Sequence, residues 1–288
     1  MNNVLPVLGS LSLGGGLVIA VLALTARLSR SRYAAQWRCW IWLILCLRLA
    51  LPISISLPRQ APPIQIDLPQ DTVVLTPHSQ GQPSQPSVVP QDAPADQSQQ
   101  PLPEEPERAP ASITLFEVLG LVWLIGVAAT MACAIFFHLR FLAYLRRWGK
   151  PVADSAVIRC FNEQGDLLRL RHRPRLLVCG GLKAPMLAGV FRTTLLLPEK
   201  PLEPQELRYA LLHELTHFKR HDIWLKSLAL LVRCLHWFNP MMWYMARLIE
   251  RDTELACDEA ALRCLPREEH SAYGKTILNA VERLKAVP

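Results

Sequence analysis

Charge is scarce in this chain of 288 residues. Only 19% of its residues are Asp, Glu, Lys or Arg, against roughly 25% in an ordinary soluble protein, while 51% are apolar. The scarcity is concentrated. No charged residue occurs from Leu5 to Ala26 or from Val118 to Leu139, and the run from Cys39 to Leu57 is broken only by Arg48. The first run alone would cover about 33 Å as a helix, against a bilayer hydrocarbon core of about 30 Å. Its start, Met1-Asn2-Asn3, lacks the basic residues of a cleaved leader, and the run is too long for one, so a retained membrane helix is expected. This composition excludes disorder as the dominant state and argues against an ordinary soluble enzyme. The eight cysteines are not clustered, which argues against a disulfide framework.

Residues 59–112 lack different things. They hold no cysteine or tryptophan and one glycine, Gly81, but are rich in Pro, Gln, Ser and Asp. Such a segment cannot bury enough apolar area to fold and reads as a disordered tether. It carries Arg59 and Arg108 against seven acids, a charge of −5, so the remainder of the +7 chain carries +12. Arg27, Arg30, Arg32 and Arg38 follow the first run, and Arg140, Arg146, Arg147 and Lys150 follow the third. Excess Arg and Lys mark the cytoplasmic side. The expected protein is therefore multi-pass in the cell membrane, with its N-terminus outside. Residues 1–58 form two membrane helices with a basic inner loop, 59–112 the outer tether, 113–139 the third membrane helix and 140–288 a cytoplasmic domain. All eight cysteines avoid the tether, consistent with thiols kept reduced. Membrane lipid is one expected partner. The basic stretch Arg169–Arg175 has no interleaved aromatic residues, so direct nucleic-acid binding is not expected; a solvated strand near the membrane is.

In the cytoplasmic part, residues 150–200 read as short strands and loops, with strands at Leu176–Val178 and Leu195–Leu197. Pro204 and Glu206 suit a helix start, and Leu207, Ala210, Leu211 and Leu215 make its apolar face. A second helix follows Asp222. Its uninterrupted apolar lengths are short for a fourth span, so it is expected to pack in the domain or lie at the membrane interface. Asn239-Pro240 ends it, and a third helix covers about 241–265.

The chemistry lies in His213-Glu214-Leu215-Thr216-His217. Histidines four apart on a helix project from one face and can grip one metal ion, while Glu214 beside them can take a proton from water that zinc has activated. A catalytic zinc usually has three protein ligands and an open position. Ten residues after the first histidine stands Ile223, which excludes a third histidine in the Gly-turn arrangement, and His221 is a turn too far along. The preferred third ligand is Glu254, with Glu250 and then Asp252 as rivals. Asp258, one turn beyond Glu254, could hold the other ring nitrogen of a ligand histidine. Cys257 points away from Glu254 on helical spacing and reads as a packed thiol.

These residues, with Arg220-His221-Asp222, His236 through Pro240, Glu254 through Asp258 and Tyr273-Gly274, resemble the integral-membrane zinc metallopeptidases of the β-lactam sensor-transducer and antirepressor type (BlaR/MecR-like). The resemblance implies a membrane protein with α-helical transmembrane segments and an α+β gluzincin-like cytoplasmic domain. It implies Zn on His213, His217 and Glu254, with Glu214 as catalytic base and Asp258 in support. It also implies an edge strand within 185–198 that binds the substrate backbone as an added strand. The expected activity is zinc endopeptidase cleavage of a cytoplasmic regulator such as a transcriptional repressor. Family sensor-transducers continue into an outside penicillin-binding domain. This sequence carries none, so sensing is expected to fall to a separate partner, to another signal, or to a longer form of the chain. Two alternatives stand beside this reading: a non-catalytic membrane scaffold, and a membrane protease of the quality-control or prenyl-protein type. Tyr244, Arg247, Tyr273 and His236 are unranked candidates for stabilising the oxyanion.

Overall fold

The apolar run that opens at Leu115 does not stop at its first arginines. In the computed structural model, which describes residues 4–28, 35–51 and 115–285, one helix continues from Leu115 to Trp148. It is the third of the chain, after α1 (Val4–Leu28) and α2 (Ala35–Ala50). At 1.5 Å per residue α3 is about 51 Å long, so its last turns extend well beyond a bilayer core. Many of its apolar side chains, including Leu121, Ile125, Phe136 and Phe137, are exposed. Among the described residues, two helices are long and apolar enough to cross a membrane, Val7–Thr25 within α1 and α3. The 16-residue α2 is shorter; the end of the second apolar run and the 59–112 tether lie outside the described residues.

After α3 the chain forms β1 (Gly149–Pro151), α4 (Ser155–Leu167), β2 (Arg175–Cys179), β3 (Met186–Ala188), β4 (Thr194–Pro198), α5 (Pro204–Arg220), α6 (Asp222–Leu235), α7 (Pro240–Leu262) and α8 (His270–Lys285). The sheet order is β1-β2-β4-β3. β4 lies parallel to β2, with Leu177 opposite Leu196, and antiparallel to β3, with Leu187 opposite Leu195. The two faces of β4 are both covered. Leu195 and Leu197 pack with Phe161, Tyr209 and Leu212 of α4 and α5, while Leu196 packs with Leu145 near the C-terminal end of α3. Burial on both faces is the reason the strand reads as an unbroken Leu run.

Residues 150–200 contain more than strands and loops. Asp154 caps α4 by accepting from the Ala156 amide, and Val157, Cys160, Phe161 and Leu168 supply its apolar stripe. Polar residues between these positions mask the helical period. α5 begins as expected at Pro204, and Glu203 before it makes no side-chain cap.

α6 and the first half of α7 pack against the N-terminal helices. Trp42, Cys46 and Leu49 of α2 share a core with Leu225, Val232, Met242, Met245 and Ile249. At the α6–α7 turn, Asn239 accepts from the Met241 amide and donates to the Ser12 carbonyl and hydroxyl in α1. Trp123 of α3 donates to the Leu235 carbonyl at 2.9 Å. The Trp237 ring lies over Gly126, where a Cβ would come within 2.2 Å of it. α6, the helix after Asp222, is therefore packed among the apolar helices. At 14 residues it reaches about 21 Å, less than a bilayer core.

Candidate metal centre

Leu211, Leu212 and Leu215 turn one face of α5 into the core. The opposite face then carries His213, Glu214 and His217 toward α7. The His213 and His217 Nε2 atoms lie 3.2 Å apart. Glu254 Oε2 from α7 lies 3.2 Å from His217 Nε2 and 3.4 Å from His213 Nε2. These three atoms make a nearly equilateral triangle. A tetrahedral ion with bonds of about 2.0–2.1 Å requires ligand–ligand edges of about 3.3–3.4 Å, so the triangle fits one face of such a polyhedron. Two imidazole nitrogens and one carboxylate oxygen are also the donor chemistry that suits zinc.

The other ring nitrogens are held. His217 Nδ1 donates to Asp222 Oδ2 at 2.8 Å, and Arg220 Nε donates to the same oxygen at 3.1 Å. His213 Nδ1 lies 2.9 Å from the Tyr273 hydroxyl and 3.2 Å from Asp258 Oδ1. The Tyr273 hydroxyl itself donates to Asp258. A carboxylate accepts only, so the Nδ1 of His217 carries hydrogen, and the same network places hydrogen on His213 Nδ1. The Nε2 atoms are then the ones that face each other and Glu254. Asp222 reaches His217 because His221 adopts a left-handed conformation, φ 57° and ψ 33°, which turns the chain sharply between α5 and α6.

Burial pulls the His217 pKa down, but bonds to Asp222, Cys257 and Glu254 act more strongly and raise it to about 11. His213 is raised in the same way, with Asp258 as its strongest supporting bond. The carboxyl of Glu254 is opposed by burial yet held far below the usual carboxylate range by the two imidazoles and Lys226. Both imidazoles are thus held protonated near pH 7, and a metal ion must displace that hydrogen from Nε2. Metal binding near pH 7 is therefore expected to release protons, and apparent affinity to weaken as pH is lowered. Titration calorimetry in buffers of different ionisation enthalpy measures that release; binding with no proton release would contradict it.

Glu214 sits half-buried in a cleft of about 270 Å³ that Met186, Thr193, Trp224 and Lys226 also line. Burial raises its carboxyl pKa, against the lowering pull of the two imidazoles. β3 lies at the sheet edge beside this cleft, while β4 is interior, so the 185–198 region narrows to Met186–Ala188 as the strand with a free edge.

The rival ligands stand elsewhere. Glu250 is exposed. Asp252 is buried against α2, accepting from Trp42 Nε1 at 2.8 Å and pairing with Arg38 at 3.1 Å. Cys257 is buried. It lies within 4.8 Å of both histidines, but its Sγ contacts the His213 carbonyl and Nδ1, away from the Nε2 atoms that Glu254 meets. None of Tyr244, Arg247, Tyr273 and His236 lines the cleft. Tyr273 is behind His213, and His236 meets the Leu49 carbonyl. Sequence reading missed Asp222, Lys226 and the positioning role of Tyr273. Lys226 Nζ holds the second Glu254 oxygen, Oε1, at 3.0 Å. For Asp222 a signal existed: an acid directly after the last turn of the histidine helix.

The sequence model of the BlaR1 peptidase M56 family matches residues 7–287. The chain belongs to this family. Among M56 relatives, it is 28% identical over 159 residues to the regulatory protein BlaR1 of Bacillus licheniformis, covering 54% of this chain and 26% of that protein. It is 35% identical over 97 residues to the methicillin resistance mecR1 protein of Staphylococcus aureus (strain Mu50 / ATCC 700699), covering 33% of this chain and 17% of that protein. The match thus spans about a quarter or less of each relative's length.

Proposed function

We propose that this M56 chain is a membrane-anchored zinc endopeptidase, with its N-terminus outside and its peptidase part, residues 140–288, in the cytoplasm. The observation that carries the reading is the 3.2–3.4 Å triangle of His213, His217 and Glu254 atoms with Glu214 in the adjoining cleft. Zinc held by these three residues would supply a Lewis acid that makes water nucleophilic near neutral pH and polarises a carbonyl. Glu214 would accept the proton of the attacking water and hand it to the leaving amine. Asp222, Asp258 and Tyr273 hold the imidazoles in the ligating tautomer. β3 binds the substrate backbone as an added strand. Lys226, charged and in the cleft, is placed to meet the carbonyl oxygen or to steady Glu254.

The substrate is proposed to be a cytoplasmic regulator such as a transcriptional repressor, in a β-lactam signalling pathway of the kind its BlaR1 and MecR1 relatives serve, with a separate sensor protein as a further partner. A structural zinc site is normally closed by a fourth protein ligand. The side of this triangle facing the cleft favours catalysis over a scaffold. Zinc content of the detergent-purified full chain tests the reading. One zinc per chain is expected in wild type and in Glu214→Gln, and loss or strong weakening in Glu254→Ala. Absence of zinc from folded wild type would overturn the reading, and zinc unaffected by Glu254→Ala would remove Glu254 from the ligand set.

A further inference from the structure

A second cavity, about 450 Å³, adjoins the metal cleft. The two share Thr193 and Phe218, and Arg173, Arg175, Phe191 and Arg192 line the outer part. The three arginines are not equivalent. Arg173 is neutralised by Asp166 and also donates to Asn162 at 2.7 Å. Among the described residues, no carboxylate pairs with Arg175 or Arg192. Two exposed arginines thus line one concavity without a carboxylate partner.

The fold places this concavity on the path of an extended chain. A peptide added along the free edge of β3 passes the metal site and, beyond Ala188, runs onto the turn at Gly189–Thr193. Gly189 has φ 88°, and a Cβ there would lie 2.6 Å from the Arg192 carbonyl oxygen, so the turn is tight and presents Phe191 and Arg192 at its tip. Phe191 is 87% exposed and meets Trp224 edge-to-face at 5.5 Å. Trp224 in turn lines the metal cleft. The two aromatic rings make one wall that continues from the metal to the arginines.

We infer that the cavity at Arg175 and Arg192 is a substrate subsite that takes an Asp or Glu side chain a few residues from the scissile bond. The inference rests on the endopeptidase reading above and deepens it by giving the substrate a chemical class. A planar guanidinium fork matches a carboxylate, and a charge-assisted pair in a concave site binds more strongly than on open surface. The same arginines could instead meet anionic lipid headgroups. The cavity opens into the metal cleft through shared residues, which favours an occupant continuous with the peptide.

The test uses zinc-loaded full-length protein in detergent and a quenched-fluorescence peptide series in which Asp, Ala or Lys is placed at each position around the cleaved bond. Wild type is expected to prefer Asp over Lys by about tenfold to a hundredfold in kcat/KM at one position only. In Arg175→Glu/Arg192→Glu that ratio is expected to invert at the same position, with zinc content and thermal midpoint kept as checks on folding. The ratio is read within each variant, so a general fall in rate does not hide it. Glu214-dependent cleavage with the same ratio in both proteins would overturn the inference and leave the endopeptidase reading standing. Absence of any Glu214-dependent cleavage would sink both. Loss of binding to phosphatidylglycerol vesicles in the variant, with an unchanged peptide ratio, would assign the arginines to lipid and overturn the inference.

Discussion

Glu214→Gln is expected to lower kcat/KM for peptide cleavage by about a hundredfold to ten-thousandfold while the protein stays folded and keeps its zinc. That loss corresponds to about 3–5 kcal/mol of transition-state stabilisation. Gln matches Glu in shape and can still hydrogen-bond, but it cannot accept a proton from water at neutral pH. Glu214 is not one of the three atoms in the triangle, so its replacement leaves the metal's holders untouched. The measurement pairs initial rates with zinc content on the same preparation. Full activity at one zinc per chain would remove Glu214 as the base. A parallel loss of zinc would instead place it among the ligands.

Asp222→Ala is expected to weaken zinc affinity by about tenfold to a hundredfold and to lower stability, although Asp222 does not touch the triangle. Asp222 is 5% exposed and accepts from both His217 and Arg220. Its removal leaves a cationic Arg220 and an imidazole N–H without their acceptor in a largely buried place. Breaking a buried pair from one side costs about 3–5 kcal/mol. Asp222→Asn separates the two effects. The amide oxygen can still accept from His217, so the tautomer survives, while the charge that balances Arg220 is lost. Its affinity is expected to lie between wild type and Ala. Zinc competition with a chromogenic chelator reads the affinity, and thermal unfolding of the metal-free protein reads the stability. Wild-type zinc affinity in Asp222→Ala would show that Asp222 does not position His217.

What could be read from the residues divides along a physical line. The i, i+4 histidine pair lies within one helix, so spacing alone gives its geometry, and β4 announces itself because both of its faces are buried. α4 hides because Asn162, Glu163 and Asp166 occupy its outer side and dilute its apolar period. Asp222 has no legible role in the sequence, because its reach to His217 depends on the left-handed backbone of His221, which composition does not reveal. Lys226 and Tyr273 join the site from α6 and α8, and contacts between helices distant in sequence have no local signature. The same holds for Asp252: sequence made it a rival ligand, and only the packing of α2 turns it toward Arg38 and Trp42.

The α6–α7 turn, tied to Ser12, Trp123 and Gly126, bears on how such a chain can be handled, by an experimenter or by a cell. Leu225, Val232, Met242, Met245 and Ile249 find much of their cover on α2. A truncated soluble version beginning after α3 would present those side chains to water and would precipitate. A nick in the connection between α3 and the peptidase part would not shed it from the bilayer either, because its hold lies in packing. The apolar helices and the peptidase part therefore share one core and are expected to be handled as one piece.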